Sequence, residues 1–322
     1  MLHPKNTEIY FELNTRAKIP ALGLGTANEV EQIPQTKQAI KAAIKSGYRL
    51  IDTAWAYQCE DRIGEALKEL FDEGAIKRED IFITTKVWPT HWDIASDSIN
   101  RSLENLGVDH VDLVLQHWPL CFNRVEDKNG VDGITRNPTH EDGSPNINPK
   151  GDYLDTYKQL EKMHLNKDPR FKAIGVSNYP VEYLQRLMKE CTVVPALNQV
   201  EIHPQLPQVE LREFCQAHGI ILESYSPFGA TGSPLKDNQS FQALADKYSC
   251  TPNDVLLAYN IRQGQVVVPR SVNPKNIVSN IEFVPLTKQD IASLTQYGLE
   301  NPKRFRDEPF AVSIPGFREN VK

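Results

Sequence analysis

The chain has 322 residues, 40% of them hydrophobic and 24% charged, with a formal net charge of −6. These are the proportions of an ordinary soluble globular protein; no apolar run approaches the ~18 residues that a membrane span needs, and Lys and Arg are spread rather than gathered into the basic stripe of a nucleic-acid surface. Five scattered cysteines without zinc spacing (Cys59, Cys121, Cys191, Cys215, Cys250) predict reduced thiols. The N-terminus MLHPKNTEIYFELN lacks a secretory or transit pattern, so a cytoplasmic protein with a small-molecule partner is expected.

Apolar, β-branched runs alternate with segments of helical period along the whole chain. IPALGLG (19–25) is followed by the helical QTKQAIKAAIKSG, and YRLIDTA (48–54) by IGEALKELFDEG. IFITTKV (81–87) precedes SDSINRSLENLG, and HVDLVLQHW (110–118) precedes a polar, Gly/Pro/Asn-rich insertion at 119–151. FKAIGVSN (171–178) leads into VEYLQRLMKE, PALNQVEIH (195–203) into QVELREFCQAHG, GIILESYSP (219–227) into FQALADKYS, and QVVVPR (265–270) into a short helix. Several helices close on Gly, as helix ends do. Eight strands apolar nearly throughout are buried on both faces, and eight βα units are the number that closes a barrel.

The expected fold is therefore α/β, a (β/α)8 TIM barrel with an N-terminal β-hairpin, in one domain covering 1–322. The insertion at 119–151 and the loop 228–238 fall on the C-terminal face as lids, and the tail 298–322 is expected to fold over one mouth. A doubly wound open sheet is the alternative. Against it, GLGTANE after the first strand lacks the full dinucleotide fingerprint.

Barrel chemistry is read at the C-terminal strand ends. Asp52 ends the second strand with Tyr57 just beyond, Lys86 ends the third and His117 the fourth. Singly, Asp52 could cap a helix, Tyr57 pack, Lys86 snorkel and His117 be a satisfied core histidine. Together at consecutive strand ends they point into one space, where Asp52 and Lys86 supply each other's counter-charge. His117 and His203 are the candidates for a metal hydrolase, but no further ligand follows at metal spacing. The eighth strand ends in VPRSVNP, where barrels often hold phosphate.

Seven segments in order, LIDTAWAYQCEDRIGEAL, ITTKVWP, HVDLVLQHWP, AIGVSNY, NQVEIHP, YSPFG and VPRSVNP, resemble the aldo-keto reductase family over nearly the whole chain. REDIFITTKVWP, GDYLDTYKQLEK and RDEPFA are similar to its fungal D-arabinose dehydrogenase branch. The resemblance implies oxidation of D-arabinose and related aldoses to lactones and reduction of aldehydes, ketones or vicinal dicarbonyls. Aldose or xylose reduction and glycerol dehydrogenation within the family are alternatives, as is a non-catalytic NADPH-sensing regulatory subunit. Monomers and dimers both occur among relatives.

It also implies roles. Tyr57 is the general acid in reduction and the base in oxidation, with Lys86 expected to lower its pKa, Asp52 to hold Lys86, and His117 to donate to the carbonyl oxygen. Hydride chemistry needs a nicotinamide. By resemblance Ser177, Asn178 and Gln199 hold its carboxamide and Tyr225 stacks on its ring, although Ser177 and Asn178 could instead cap the helix that follows. Gly25, Thr26, Asp52, Ser226, Phe228 and Val272 complete that side. Arg270, Ser271 and Asn273 are expected at the 2′-phosphate of NADPH, and Asn280 at the adenine. Trp88 and Trp118 wall the substrate pocket with His117. Ala27 stands where many relatives carry Trp, which predicts a wider pocket there. Asn276 stands where NADPH-preferring relatives carry Arg, which predicts a weakened NADPH preference with NADH usable.

Overall fold

The computed structural model describes residues 3–229, 233–306 and 314. β1 (Tyr10–Glu12) and β2 (Lys18–Pro20) form an antiparallel hairpin. β3 (Leu24–Gly25), β4 (Leu50–Asp52), β5 (Phe82–Val87) and β6 (Val111–Gln116) enter a parallel sheet, and β7 (Glu126–Val131) stands apart in the insertion. β8 (Phe171–Ser177), β9 (Leu197–Glu201), β10 (Ile221–Tyr225) and β11 (Val266–Val267) complete the sheet in the order β11-β10-β9-β8-β6-β5-β4-β3. Parallel bridges Leu22 to Val267 and Gly25 to Arg270 join its two edges and close the barrel. The expected first strand, 19–25, is divided: its start belongs to the hairpin and only its end to the barrel. Both parts are buried, so one apolar run covers two elements.

Around the barrel lie α1 (Thr36–Lys45), α2 (Glu60–Asp72), α3 (Ala95–Leu106), α4 (Asp155–Leu165), α5 (Val181–Glu190), α6 (Val209–Ala217), α7 (Gln239–Tyr248), α8 (Pro252–Ile261), α9 (Pro274–Ser279) and α10 (Lys288–Glu300). Periodicity does not single out α8, because every residue from Asp254 to Ile261 is buried and no polar stripe remains. Its start is marked instead by a capping box, Thr251 with Asp254. Near its end, α10 lies directly on the loop after β9. A Cβ at Gly298 would sit 1.5 Å from the Pro204 carbonyl oxygen, so Gly298→Ala is expected to cost about 3 kcal/mol, the upper range for overpacking. Thermal denaturation checks this, and an unchanged Tm would refute the packing argument.

Strand alternation sorts the barrel into levels. Leu50, Phe82, Leu113, Leu115, Ala173, Leu197, Val266 and Val268 form an inner apolar cluster that the hairpin side closes with Leu13 and Ile19. Residues of the opposite strand parity, Ile51, Ile83, Val114, Ile174 and Val200, face the helices. Two or four residues further along the same inward faces come Asp52, Lys86, Ser177, Gln199, Glu223 and Tyr225. The interior is thus apolar below and polar at the C-terminal mouth.

The insertion is pinned rather than loose. Trp55 Nε1 donates to Asp132 (2.6 Å) and Trp88 Nε1 to the Arg136 carbonyl (2.7 Å), while Phe122 and Ile134 pack with Trp55, Trp88 and Trp118. Ile314 of the tail joins this cluster; most of the tail beyond Arg306, and 230–232 of the 228–238 loop, lie outside the described residues.

Candidate active site

Asp52 and Lys86 come from neighbouring strands, and Tyr57 from the turn Trp55–Tyr57 just after β4. The Lys86 ammonium is buried and gives each of its three protons an acceptor: Asp52 Oδ1 at 2.7 Å, the Thr53 carbonyl at 2.9 Å and Tyr57 Oη at 3.1 Å. Such full pairing is what a buried charge requires. Burial disfavours the ammonium, but Asp52 and Tyr57 more than offset it, so its pKa is raised. The Tyr57 hydroxyl also lies 3.4 Å from His117 Nε2, and the His117 ring meets Trp88 edge-on with centroids 4.7 Å apart.

The sign of the Tyr57 shift differs from the sequence expectation. Lys86 does pull the pKa down, but burial and the Asp52 charge outweigh it, and the phenol is pushed up to about 12. Burial, followed by the charges of Lys86 and Arg136, holds His117 well below the usual imidazole range, so it is neutral at neutral pH. Its Nδ1 is buried without a partner among the described residues.

A second polar layer surrounds this group. Gln199 Nε2 donates to Asp52 Oδ1 (2.8 Å) and to Glu223 Oε1. Glu223 is fully buried, and desolvation and the Asp52 charge both raise its pKa. Ser177 Oγ donates to the Gln199 carbonyl (2.9 Å), and Tyr225 Oη to Asn178 Oδ1 (2.9 Å). Asn178 sits at φ 63 and donates from Nδ2 to the His117 carbonyl at 3.1 Å. Neither Ser177 nor Asn178 caps α5, whose N-cap is Pro180 without a side-chain bond. The capping alternative is thereby removed.

All of this opens into a cleft of about 520 Å³, within the ordinary range for small-molecule sites. Asp52, Tyr57 and His117 line it, as do Ser177, Asn178, Gln199, Tyr225, Ser226 and Phe228 on one side, Ala27, Trp88 and Trp118 on another, and Gly25 and Arg270 along the β3 to β11 seam. A model of the Aldo/keto reductase family matches residues 21–298. The chain belongs to the aldo/keto reductase family. It is 39% identical over 309 residues to a D-galacturonate reductase of Hypocrea jecorina, covering 94% of this chain and 96% of that one. It is 40% identical to an aldehyde reductase of Saccharomyces cerevisiae (90% and 91% covered) and 37% to that organism's glycerol 2-dehydrogenase (NADP(+)) (91% and 91%). Among solved structures, a Bombyx mori aldo-keto reductase in complex with NADP superposes with a TM-score of 0.78 at 32% identity, covering 90% of this chain and 92% of that one.

In this aldo-keto reductase several expected contacts lie outside the cleft lining. Thr26 turns away, its hydroxyl donating to the Asp52 carbonyl at 2.9 Å. Asn280 is buried beside the Tyr48 hydroxyl, and Val272 packs on the core. Ser271 and Asn273 face each other on the rim beside Arg270, and Asn276 is exposed. Asn273 Oδ1 accepts the Lys275 amide (2.9 Å), so one amide of the six-residue α9 is already satisfied internally. His203 pairs with Glu201 at 2.9 Å.

Other cleft residues escape sequence reading. Glu29 ion-pairs with Arg270 at 2.9 Å. Arg306 is brought to the cleft because its amide, with that of Phe305, is held by buried Glu201 (3.0 and 2.7 Å). Arg136 and Asn137 reach it from the insertion. Below the cleft, buried Glu223 had a legible signal, being of the same strand parity as Tyr225.

Proposed function

We propose that the protein reduces aldehydes and open-chain sugars with NADPH and runs the reverse oxidation, including that of D-arabinose and related aldoses to lactones. The observation that carries this is the Lys86 ammonium bonded at once to Asp52 and to Tyr57, with His117 Nε2 against the same phenol. A nicotinamide, which Ser177, Asn178, Gln199 and Tyr225 would hold, would supply the hydride. The residues fit it: a fixed ring at Tyr225, amide and hydroxyl groups at Ser177, Asn178 and Gln199, and cations Arg270 and Arg306 toward the far end. Neutral His117 donates a hydrogen bond to the substrate carbonyl oxygen through Nε2, with Nδ1, which has no hydrogen-bond partner among the described residues, as the unprotonated nitrogen. Tyr57 gives its proton to that oxygen, Lys86 stabilises the phenolate left behind, and solvent later restores the proton. The relatives' names, a galacturonate reductase, an aldehyde reductase and an NADP(+)-dependent glycerol dehydrogenase, support both the carbonyl chemistry and NADP. A cytoplasmic location belongs to the same proposal; among the described residues no helix is long and apolar enough to cross a membrane. NADPH oxidation measured against aldehydes, diketones and sugars tests the reading. Cofactor binding without turnover on any of these classes would favour a sensor.

A phenol pKa of about 12 weights the site toward reduction. Tyr57 stays protonated through the neutral range, so the reductive kcat is expected to be flat from about pH 6 to 9. The oxidative rate should climb through the same interval, because it needs the rare phenolate. pH profiles in both directions check this, and a reductive rate falling with an apparent pKa near 7 would overturn the assignment.

Glu29 bears on the cofactor preference. The Arg270 guanidinium holds its carboxyl below the ordinary range, so a 2′-phosphate must compete with Glu29 for that cation. With Asn276 supplying no second charge, NADH is expected to be usable. Glu29 is largely exposed, so Glu29→Gln should tighten NADPH only about threefold, the scale of a surface ion pair, and leave NADH unchanged. Asn276→Arg should add to that preference. Fluorescence titration of both cofactors reads the two effects, and a wild-type preference for NADPH in the thousands would contradict them.

A further inference from the structure

Glu223 is a buried acid that the carbonyl chemistry does not use. It faces inward from β10, beside Gln199 of β9 and Val266 of β11, and is shut off from solvent. Gln199, which does line the cleft, donates from Nε2 to both Asp52 Oδ1 (2.8 Å) and Glu223 Oε1. Its amide protons are thereby taken, and the group it has left to offer the cleft is the Oε1 acceptor. Asp52 has a counter-charge, but Lys86 gives its protons to Asp52, Thr53 and Tyr57 and makes no bond to Glu223. The second Glu223 oxygen, Oε2, is buried without a partner among the described residues. Facing the carboxyl are thus Gln199, apolar Val266, the Asp52 charge and the Lys86 charge. Desolvation and then Asp52 push it up to about 8, against the smaller opposing pulls of the Gln199 bond and Lys86. With Glu223 protonated, Asp52 and Lys86 cancel; with it ionised, the layer holds an unmatched buried anion, which needs a cation close by.

We propose that Glu223 is the counter-charge of the oxidised cofactor: it ionises when the positively charged nicotinamide ring docks against Gln199 and Tyr225, and keeps its proton beneath the neutral reduced ring. The proton it loses goes to solvent, and no other bond changes on binding. Glu223 is a positioning residue, since it touches no reacting atom and reaches the cofactor through Gln199. The inference rests on the cofactor reading of the cleft. The sign follows from linkage: a ligand that favours the ionised form binds more tightly as pH rises, until the free carboxyl is itself ionised above about 8. A bare structural role, propping the Gln199 amide, would need an acceptor at Oε1 but no charge.

The test measures Kd for NADP+ and NADPH by tryptophan fluorescence across the neutral range. Taking their ratio cancels the 2′-phosphate, which both carry, and using Tyr57→Phe as the background removes the phenol as a second source of protons. In that background the ratio of Kd for NADP+ to Kd for NADPH should fall about tenfold from about pH 6 to 9, the effect of a one-unit shift in one linked group. Adding Glu223→Gln keeps an acceptor for Gln199 but no charge, so the ratio should hold within about twofold at its low-pH value. Glu223→Leu, which also removes the acceptor, should weaken both cofactors. Calorimetry of the wild type in buffers of different ionisation enthalpy needs no variant. It should show more proton release with NADP+ than with NADPH. Equal proton release with the two cofactors, a flat ratio while Glu223 is present, or an unchanged pH dependence in Glu223→Gln would overturn the proposal and leave Glu223 as a prop. Binding of neither cofactor would instead bring down the cofactor reading, and the proposal with it.

Discussion

Tyr57→Phe is expected to lower kcat by about 10²-fold or more, the usual scale for losing a positioned general acid. The ring keeps its place over the Lys86 ammonium, 4.7 Å from Nζ to centroid, and Lys86 keeps Asp52 and Thr53 as acceptors. Cofactor affinity and Tm should therefore change little, which separates a chemical loss from a structural one. Steady-state turnover with fluorescence titration of NADPH makes the measurement. Near-normal turnover in the variant would take the proton-donor role from Tyr57 and leave His117 as the nearest alternative.

Lys86→Met removes the ammonium with little change in volume, and two effects follow. Asp52 is left buried with Gln199 as its remaining side-chain donor and with Glu223 sharing that amide. Loss of one member of a buried ion pair costs about 3–5 kcal/mol, so Tm and urea midpoint should fall clearly. The phenolate of Tyr57 also loses the charge that stabilises it, and turnover should fall by at least about 10²-fold. The double variant Lys86→Met with Asp52→Asn separates the two. Stability should return, because no unpaired buried charge remains, while activity should not. A single variant as stable as wild type would show that the pair is not held as a buried charge couple.

The barrel strands were legible because most of their residues are buried on both faces, so that each reads as an apolar run broken by few polar residues. The same property blurred the start, where the hairpin and β3 share the run 19–25, and concealed α8, which has no polar face. β7, with the sequence EDKNGV, carries no apolar alternation and is held by bridges and by the tryptophan contacts of its neighbours. Ser177 and Asn178 allowed two local readings from sequence. The left-handed backbone at Asn178, its bond to the His117 carbonyl and the N-cap at Pro180 remove the capping reading.

From the sequence alone, the barrel and the meeting of Asp52, Lys86 and His117 could be read, because strand parity forces inward residues at neighbouring strand ends into one space, while the family and the part of Tyr57, which lies in the turn after β4, came from the resemblance. Only the tertiary structure decided how those charges balance. Whether Tyr57 shifts down toward Lys86 or up with burial depends on desolvation and on its distance to groups such as Lys86, 29 residues away in the chain. The same holds for Glu29 beside Arg270, 241 residues away, and for Arg136 beside Ala56, 80 residues away. Residue types and their order declare which groups are present. Coulomb energies and burial depend on separation and solvent access, which are set by folding.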